Sequence, residues 1–215
     1  MKEGLTELVF ILDRSGSMSG LESDTIGGFN STLQRQKGET GEALVSTILF
    51  DDTTEVLHDR TDIKTVEPLT DKQYFARGST ALLDAIGSAI HHIGIVHKYA
   101  RDEDRPEKTV FVITTDGYEN SSHKYSLQQV RDMIERQKKK YGWEFLFLGA
   151  NIDAIAAARD FGIEEENACN FINDKQGIKL MDCCESMFIS NVRNRRKNCG
   201  EWKRSLEKDY LNRSR

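Results

Sequence analysis

Cysteine and proline are scarce in this 215-residue chain, four of the one and two of the other. Cys169, Cys183, Cys184 and Cys199 form no C-x-x-C pair, and the adjacency of Cys183 and Cys184 is awkward for a disulfide framework. They are expected to be reduced, mostly buried thiols rather than redox or metal groups. Apolar runs are short as well: none approaches the ~20 residues of a membrane span. Met-Lys-Glu-Gly at the start passes into an alternating strand without the apolar core of a secretion signal. A cytoplasmic protein is the expectation. Neither Gly-x-x-x-x-Gly-Lys nor Gly-x-Gly-x-x-Gly occurs, which removes two common phosphate-cradling fingerprints.

Positive charge is short over most of the chain. The net charge of −5 combines +6 on residues 191–215, where nine Lys/Arg face three Asp/Glu, with −11 on residues 1–190. An acidic body argues against general nucleic-acid binding. Only the basic tail is left for such contact, with an acidic partner, a second copy or the body itself as its other surfaces, or a plain solvated helical end as the alternative. In that tail Arg193, Arg195, Arg196 and Lys197 are clustered, and Trp202 and Tyr210 are candidate anchors.

Strand and helix patterns alternate along the chain. Leu8–Leu12 reads as a fully buried strand, a β-rich apolar run without polar alternation. Ile26, Phe29 and Leu33 mark a helix interrupted by Gly27-Gly28 and closing near Gly38. Ala43–Phe50 and Glu55–His58 are read as a hairpin across Asp51-Asp52-Thr53-Thr54. Residues 59–78 are expected to form a loop with at most a short helix. Ala81–Tyr99 carries an apolar stripe through Leu82, Ile86, Ile90, Ile93 and His97. A charged linker, Arg101–Pro106, precedes the strand at 110–115. Ser126-Leu-Gln-Gln129 is a capping box for a helix through Tyr141. Glu144–Leu148, a short helix Ile152–Phe161, a weak strand Cys169–Ile172 and a final helix with Ile178, Met181, Cys184, Phe188 and Val192 complete the pattern. This alternation implies βαβ units: an α/β, Rossmann-like, doubly wound sheet of six strands, mostly parallel with one antiparallel edge, and helices on both faces. Residues 1–192 are taken as the domain and 193–215 as a basic C-terminal extension.

In such a sheet ligands bind beyond the carboxyl ends of the strands. Asp13-Arg14-Ser15-Gly16-Ser17 follows the first strand directly, and Asp116 follows the strand at 110–115 in the same way. Thr80, after Arg77-Gly78-Ser79, opens a helix at the same edge. Three loops thereby supply Asp13, Ser15, Ser17, Thr80 and Asp116, all oxygen donors without thiol or imidazole. Such a set suits Mg²⁺ or Mn²⁺ better than zinc. It also has too few carboxylates for an ordinary structural Ca²⁺ site. The cation's charge is left partly uncompensated, so that a partner's carboxylate can complete it.

Asp-x-Ser-x-Ser, a Thr after a Gly-rich turn and a strand-terminal Asp-Gly resemble the von Willebrand factor type A domain and its metal-ion-dependent adhesion site. The stretches Ile11–Met18, Gly78–Leu82 and Thr115–Gly117 are similar to its bacterial and phage-type intracellular branch, over nearly the whole chain. The resemblance implies direct coordination by Ser15 and Ser17, with Asp13 and Asp116 acting directly or through water and Thr80 alternating between the two. It implies rim contacts from Gly16, Ser79, Gly117, Tyr118, Glu119 and Asn120, and a coupling of the site to the helix at 177–192. It also implies a non-enzymatic binding module whose protein partner donates a Glu or Asp side chain. The alternative is an assembly or adaptor subunit of an ATP-driven or stress-response complex, beside an AAA+, kinase or phosphatase partner. A metal-dependent hydrolase is the third reading.

Other readings of the same residues fare worse. A phosphatase using Asp13 as nucleophile would look for a second acid where Ser15 stands. Ser15 or Ser17 as a nucleophile needs a positioned base, and His123 is the nearest histidine to the rim. His91, His92 and His97 share no helical face. Asp51-Asp52 reads as a hairpin turn, with an acidic rim as the other option, and Lys138-Lys139-Lys140 as a solvated helix end.

Overall fold

The computed structural model describes residues 1–196, 198 and 200–214. Lys197 of the basic cluster, the Cys199 thiol and Arg215 lie outside the described residues. The elements run β1 (Lys2–Asp13), α1 (Glu22–Lys37), β2 (Glu42–Phe50), β3 (Thr54–Asp62), α2 (Leu82–Tyr99), β4 (Pro106–Thr115), α3 (Leu127–Tyr141), β5 (Glu144–Gly149), α4 (Ala154–Asp160), β6 (Ala168–Asn170), α5 (Lys175–Arg193) and α6 (Arg204–Arg213). The sheet order is β3-β2-β1-β4-β5-β6. Every neighbouring pair is parallel except β2 with β3, which is antiparallel at the edge.

The period-2 rule explains why β1 reads as one apolar run. Leu8, Phe10 and Leu12 enter a core beneath α1 and α5, while Val9 and Ile11 enter a second core beneath α2, α3 and α4. Because both faces are covered, the central strand has no polar side. In α1, Gly28 allows α5 to approach closely: a Cβ there would fall 2.0 Å from the Asp182 carboxylate on α5. The capping box of α3 forms as expected, with Gln129 N–H donating to Ser126 Oγ and Ser126 N–H to Gln129 Oε1 at 2.8 Å. Gly142 ends that helix in the left-handed region at φ 65°.

Some expectations are corrected. β1 begins at Lys2, paired to β4, and β3 runs to Asp62, paired to β2, because backbone pairing continues past the apolar residues. The loop expected at 59–78 holds from residue 63 on, with turns and no helix, and it buries Ile63, Val66, Leu69 and Tyr74. The helix expected to be last is followed by α6, whose approach contributes Trp202 and Leu206 to the core. Trp202 packs edge-on against Phe188, with ring centroids 5.4 Å apart, and donates its Nε1–H to Glu166 O at 3.0 Å. Among the described residues no helix is long and apolar enough to cross a membrane.

Candidate functional site

At Asp13 the chain leaves the sheet. Arg14 N–H still donates to Phe50 O at 2.8 Å, but Ser15 N–H turns back to Asp13 Oδ1 at 2.7 Å. The 3-10 turn Gly16–Met18 then brings Ser15 Oγ and Ser17 Oγ to 3.0 Å, and Ser17 Oγ donates to Asp116 Oδ1. Asp116 stands just beyond β4, the parallel neighbour of β1, so topology makes this meeting unavoidable. Thr115 Oγ1 donates to Asp13 Oδ2 at 2.7 Å, fixing the first carboxylate from the neighbouring strand.

The segment carrying Thr80 is zipped onto that turn. Arg77 N–H donates to Arg14 O at 2.8 Å and Gly16 N–H to Gly78 O at 3.1 Å. Gly78 sits at φ 67°, and a Cβ there would meet Asp52 Oδ1 at 2.5 Å. Thr80 and Asn120 hold each other: Thr80 N–H donates to Asn120 Oδ1 at 2.9 Å and Asn120 N–H to Thr80 O at 3.0 Å. A Cβ built on Gly117 would lie 3.4 Å from Thr80 Oγ1 and 3.8 Å from Ser17 Oγ. Hydroxyls from two loops thus both lie within 4 Å of the space beside Gly117. All five residues proposed from the sequence are brought to one spot.

Asp13, Ser15, Thr80 and Asp116 are buried, while Ser17 and Gly16 are exposed. Burial pushes Asp116 up to about 6, with the Ser17 hydrogen bond opposing and the Asp13 charge adding to the rise. Burial raises Asp13 as well, against hydrogen bonds from Thr115 and Ser15. Two desolvated acids side by side call for a positive charge between them. Among the described residues no three His, Cys, Asp or Glu side chains cluster as a metal set, so hydroxyls would have to supply the remaining donors. Ser15, Ser17 and Thr80 are placed to do so. This chemistry suits a small, hard divalent cation.

The rim residues differ in their freedom. Ser79 is exposed, and Tyr118 is 62% exposed with its Oη accepting from Asp153 N–H at 3.2 Å. The Glu119 carboxylate is tied down, accepting from Leu83 N–H and Ser121 N–H, each at 2.9 Å, at the start of α2. Asp51 is fully buried, accepting from Arg14 Nε at 2.8 Å, Arg77 Nε at 2.7 Å and Thr53 N–H at 2.8 Å. Burial works to raise its carboxyl, but the bonds from Arg77 and Thr53 hold it well below the usual carboxylate range. It is a turn-forming acid and not part of a rim.

The histidines have other partners. His123 is exposed and reaches Asp84 only through its backbone N–H, while Ser15 and Ser17 bond each other and Asp116. His97 pairs with buried Glu7 and His92 with Asp59, on different neighbours.

Four contributors escaped the sequence reading. Thr115 orients Asp13, Tyr74 Oη donates to Asp13 O, Arg14 ties Asp51 and Glu55 to the motif turn, and Asn173 Nδ2 donates to Asp116 Oδ2 at 2.9 Å. Asn173 Oδ1 is buried without a hydrogen-bond partner among the described residues. Thr115 and Arg14 adjoin motif residues, which is the signal that marks them. Tyr74 and Asn173 carry no such signal.

Sheet order, strand directions and two-sided helix cover define the von Willebrand factor type A fold. Among solved structures the chain is similar to proximal thread matrix protein 1 of the mussel byssus, at 13% identity over 87% of this chain and 46% of that one, with a TM-score of 0.58. A structure of that mussel protein with a zinc-occupied MIDAS motif is similar at 14% identity, 87% and 46% coverage and TM-score 0.58. A von Willebrand factor type A structure from Catenulispora acidiphila is similar at 13% identity, 87% and 42% coverage and TM-score 0.54. The chain spans just under half the length of these proteins. No family model and no curated protein matches it.

Proposed function

We propose that this chain is a metal-dependent protein-binding module of the adhesion-site type, in which a partner's Glu or Asp completes the coordination of a divalent cation. The observation that carries the reading is the convergence of Ser15, Ser17 and Asp116 in one hydrogen-bonded cluster, with Thr80 facing it across Gly117. Asp13, Ser15, Ser17, Thr80 and Asp116 would hold the cation, Mg²⁺ or Mn²⁺ before Ca²⁺. When bound, it supplies a Lewis-acidic charge that two carboxylates leave incompletely neutralised. Ser17 Oγ bonds a carboxylate that belongs to the same donor set, which favours binding over turnover. The zinc-occupied motif of the mussel protein is in keeping with a divalent ion here. The free thiols of Cys169, Cys183 and Cys184 fit a reducing, cytoplasmic setting. The bacterial and phage-type intracellular branch is the assignment we favour.

Two measurements test this reading. At a hundredfold excess over its Kd, Mg²⁺ should stabilise the protein by about 2.7 kcal/mol relative to EDTA. That corresponds to a rise of roughly 5–10 °C in Tm for a chain of this size, and Asp116→Ala should abolish it. Proteins captured from a lysate in Mg²⁺ should be lost in EDTA and with Ser15→Ala. Identical captures in all three conditions would reject a metal-bridged partner.

A further inference from the structure

Beside the candidate metal site lies an apolar groove of about 240 Å³ between the loop after β4 and helix α4. Leu82, Phe147, Ile152 and Phe161 form its buried floor, and Ala156 and Ala157 keep one wall low. We propose that this groove selects the partner, by taking a large apolar side chain from the same segment that donates the metal-completing carboxylate, with a Lys or Arg beyond it. The inference rests on the metal-bridged reading above and adds the chemistry of the partner.

Three features fix that occupant. The groove is continuous with the site: Gly117 lines it and also faces Thr80 Oγ1 and Ser17 Oγ. An extended chain rises ~3.3 Å per residue, so the groove is within one or two residues of a carboxylate held there. Its volume is below the roughly 300–1,000 Å³ of small-molecule sites and suits a single Leu, Ile, Met or Phe side chain. Its charges are all of one sign. Glu119, Asp153 and Asp160 are among its lining residues and no Lys, Arg or His is. Backbone N–H groups hold Glu119, Asp153 caps α4 by accepting from Ala156 N–H at 2.9 Å, and Asp160 is exposed at the end of α4. Tyr118, largely exposed and accepting at its Oη from Asp153 N–H, lines the groove next to Gly117. A fixed aromatic in that place is the kind of residue that carries binding energy at interfaces.

The test uses displayed peptides with a fixed central Glu and randomised flanks, selected on the whole chain in MgCl₂ and again in EDTA. Mg²⁺-dependent clones should carry Leu, Ile, Met or Phe within two residues of the Glu, and Lys or Arg further on. Ala156→Leu fills the groove and Asp160→Lys reverses its lip. Both should keep the Mg²⁺-dependent rise in Tm. Ala156→Leu should weaken an enriched peptide at least about tenfold, the effect of withholding one buried apolar side chain. Asp160→Lys, on an exposed helix end, carries the test if the filled variant folds poorly, and should remove the basic preference. Acidic, Mg²⁺-dependent peptides without an apolar neighbour, or affinities that neither variant moves, would overturn the groove and leave the metal-bridged reading standing. Absence of any Mg²⁺-dependent enrichment would overturn both. Mg²⁺-dependent self-association abolished by Ala156→Leu would seat a second copy in the groove and overturn the peptide occupant.

Discussion

Asp182 places its carboxylate against the bare backbone of Gly28, and burial raises its pKa to about 7, with Arg35 opposing. Its unfolded value is 3.8, so between about pH 4 and 7 the native state holds a proton that the unfolded state releases. Stability therefore falls as pH rises through that window. Asp182→Asn should match the parent below about pH 4 and exceed it at about pH 8, by on the order of 2 kcal/mol. Urea midpoints at the two pH values measure this, and a difference that does not change with pH would refute it. Part of the slope should survive in the variant, because Glu185, also buried, is raised by burial and by the Asp182 charge. At the site, Asp51→Asn should cost about 1–3 kcal/mol, since it takes from the fully buried Arg14 guanidinium one of its two carboxylates and leaves Glu55. Chemical denaturation reads that loss directly. At this scale sequence spacing revealed the five metal-site candidates, because each sits in a short motif at a strand or helix end. It did not reveal Tyr74 or Asn173, single polar residues whose partners Asp13 and Asp116 lie far away in sequence.

Among the elements, α5 shows how little room the packing leaves. A Cβ at Gly177 would sit 1.9 Å from Ile172 O, a backbone atom that cannot swing aside. Gly177→Ala should therefore cost about 1–3 kcal/mol or more from overpacking, although alanine favours helix. A measured gain in stability would contradict this packing. Ser126→Ala should cost about 1 kcal/mol through loss of the α3 cap, readable from the same denaturation curves. Element type was legible where periodicity was strong. Apolar runs marked the cores of β1, β4 and β5, and the stripe from Leu82 to Ile93 marked α2. Element ends were less so, because Lys2–Thr6 and the last residues of β3 are held by backbone pairing that leaves no mark on side-chain type. Segment 63–74 is the loop expected of it, but the burial of Ile63, Val66, Leu69 and Tyr74 was not legible, because they meet the core without a helix or strand to carry them.

For the molecule as a whole, several cations of the basic tail are occupied at home. Arg193 donates to Gln36 O at 2.7 Å, Arg195 pairs with Glu3 and Glu107, and Lys203 Nζ donates to Glu165 O at 2.7 Å. Arg213 ties α6 to Asp174, the N-cap of α5. These contacts leave less positive charge for nucleic acid than the sequence count suggested. Trp202→Ala should cost about 3–5 kcal/mol and lower the Tm by roughly 10 °C. An unchanged Tm would mean the tail does not share the core. The central position of β1 carries a further consequence, for how the chain reaches this state. β1 pairs along its length with both neighbours, and Leu8 stands opposite Val45 of β2 on one side and opposite Val110 of β4, far later in the chain, on the other. During synthesis its second edge must wait, strand donors and acceptors open, until more than half of the chain has emerged. Such long-range parallel pairing folds slowly, and its exposed edge invites misassembly meanwhile.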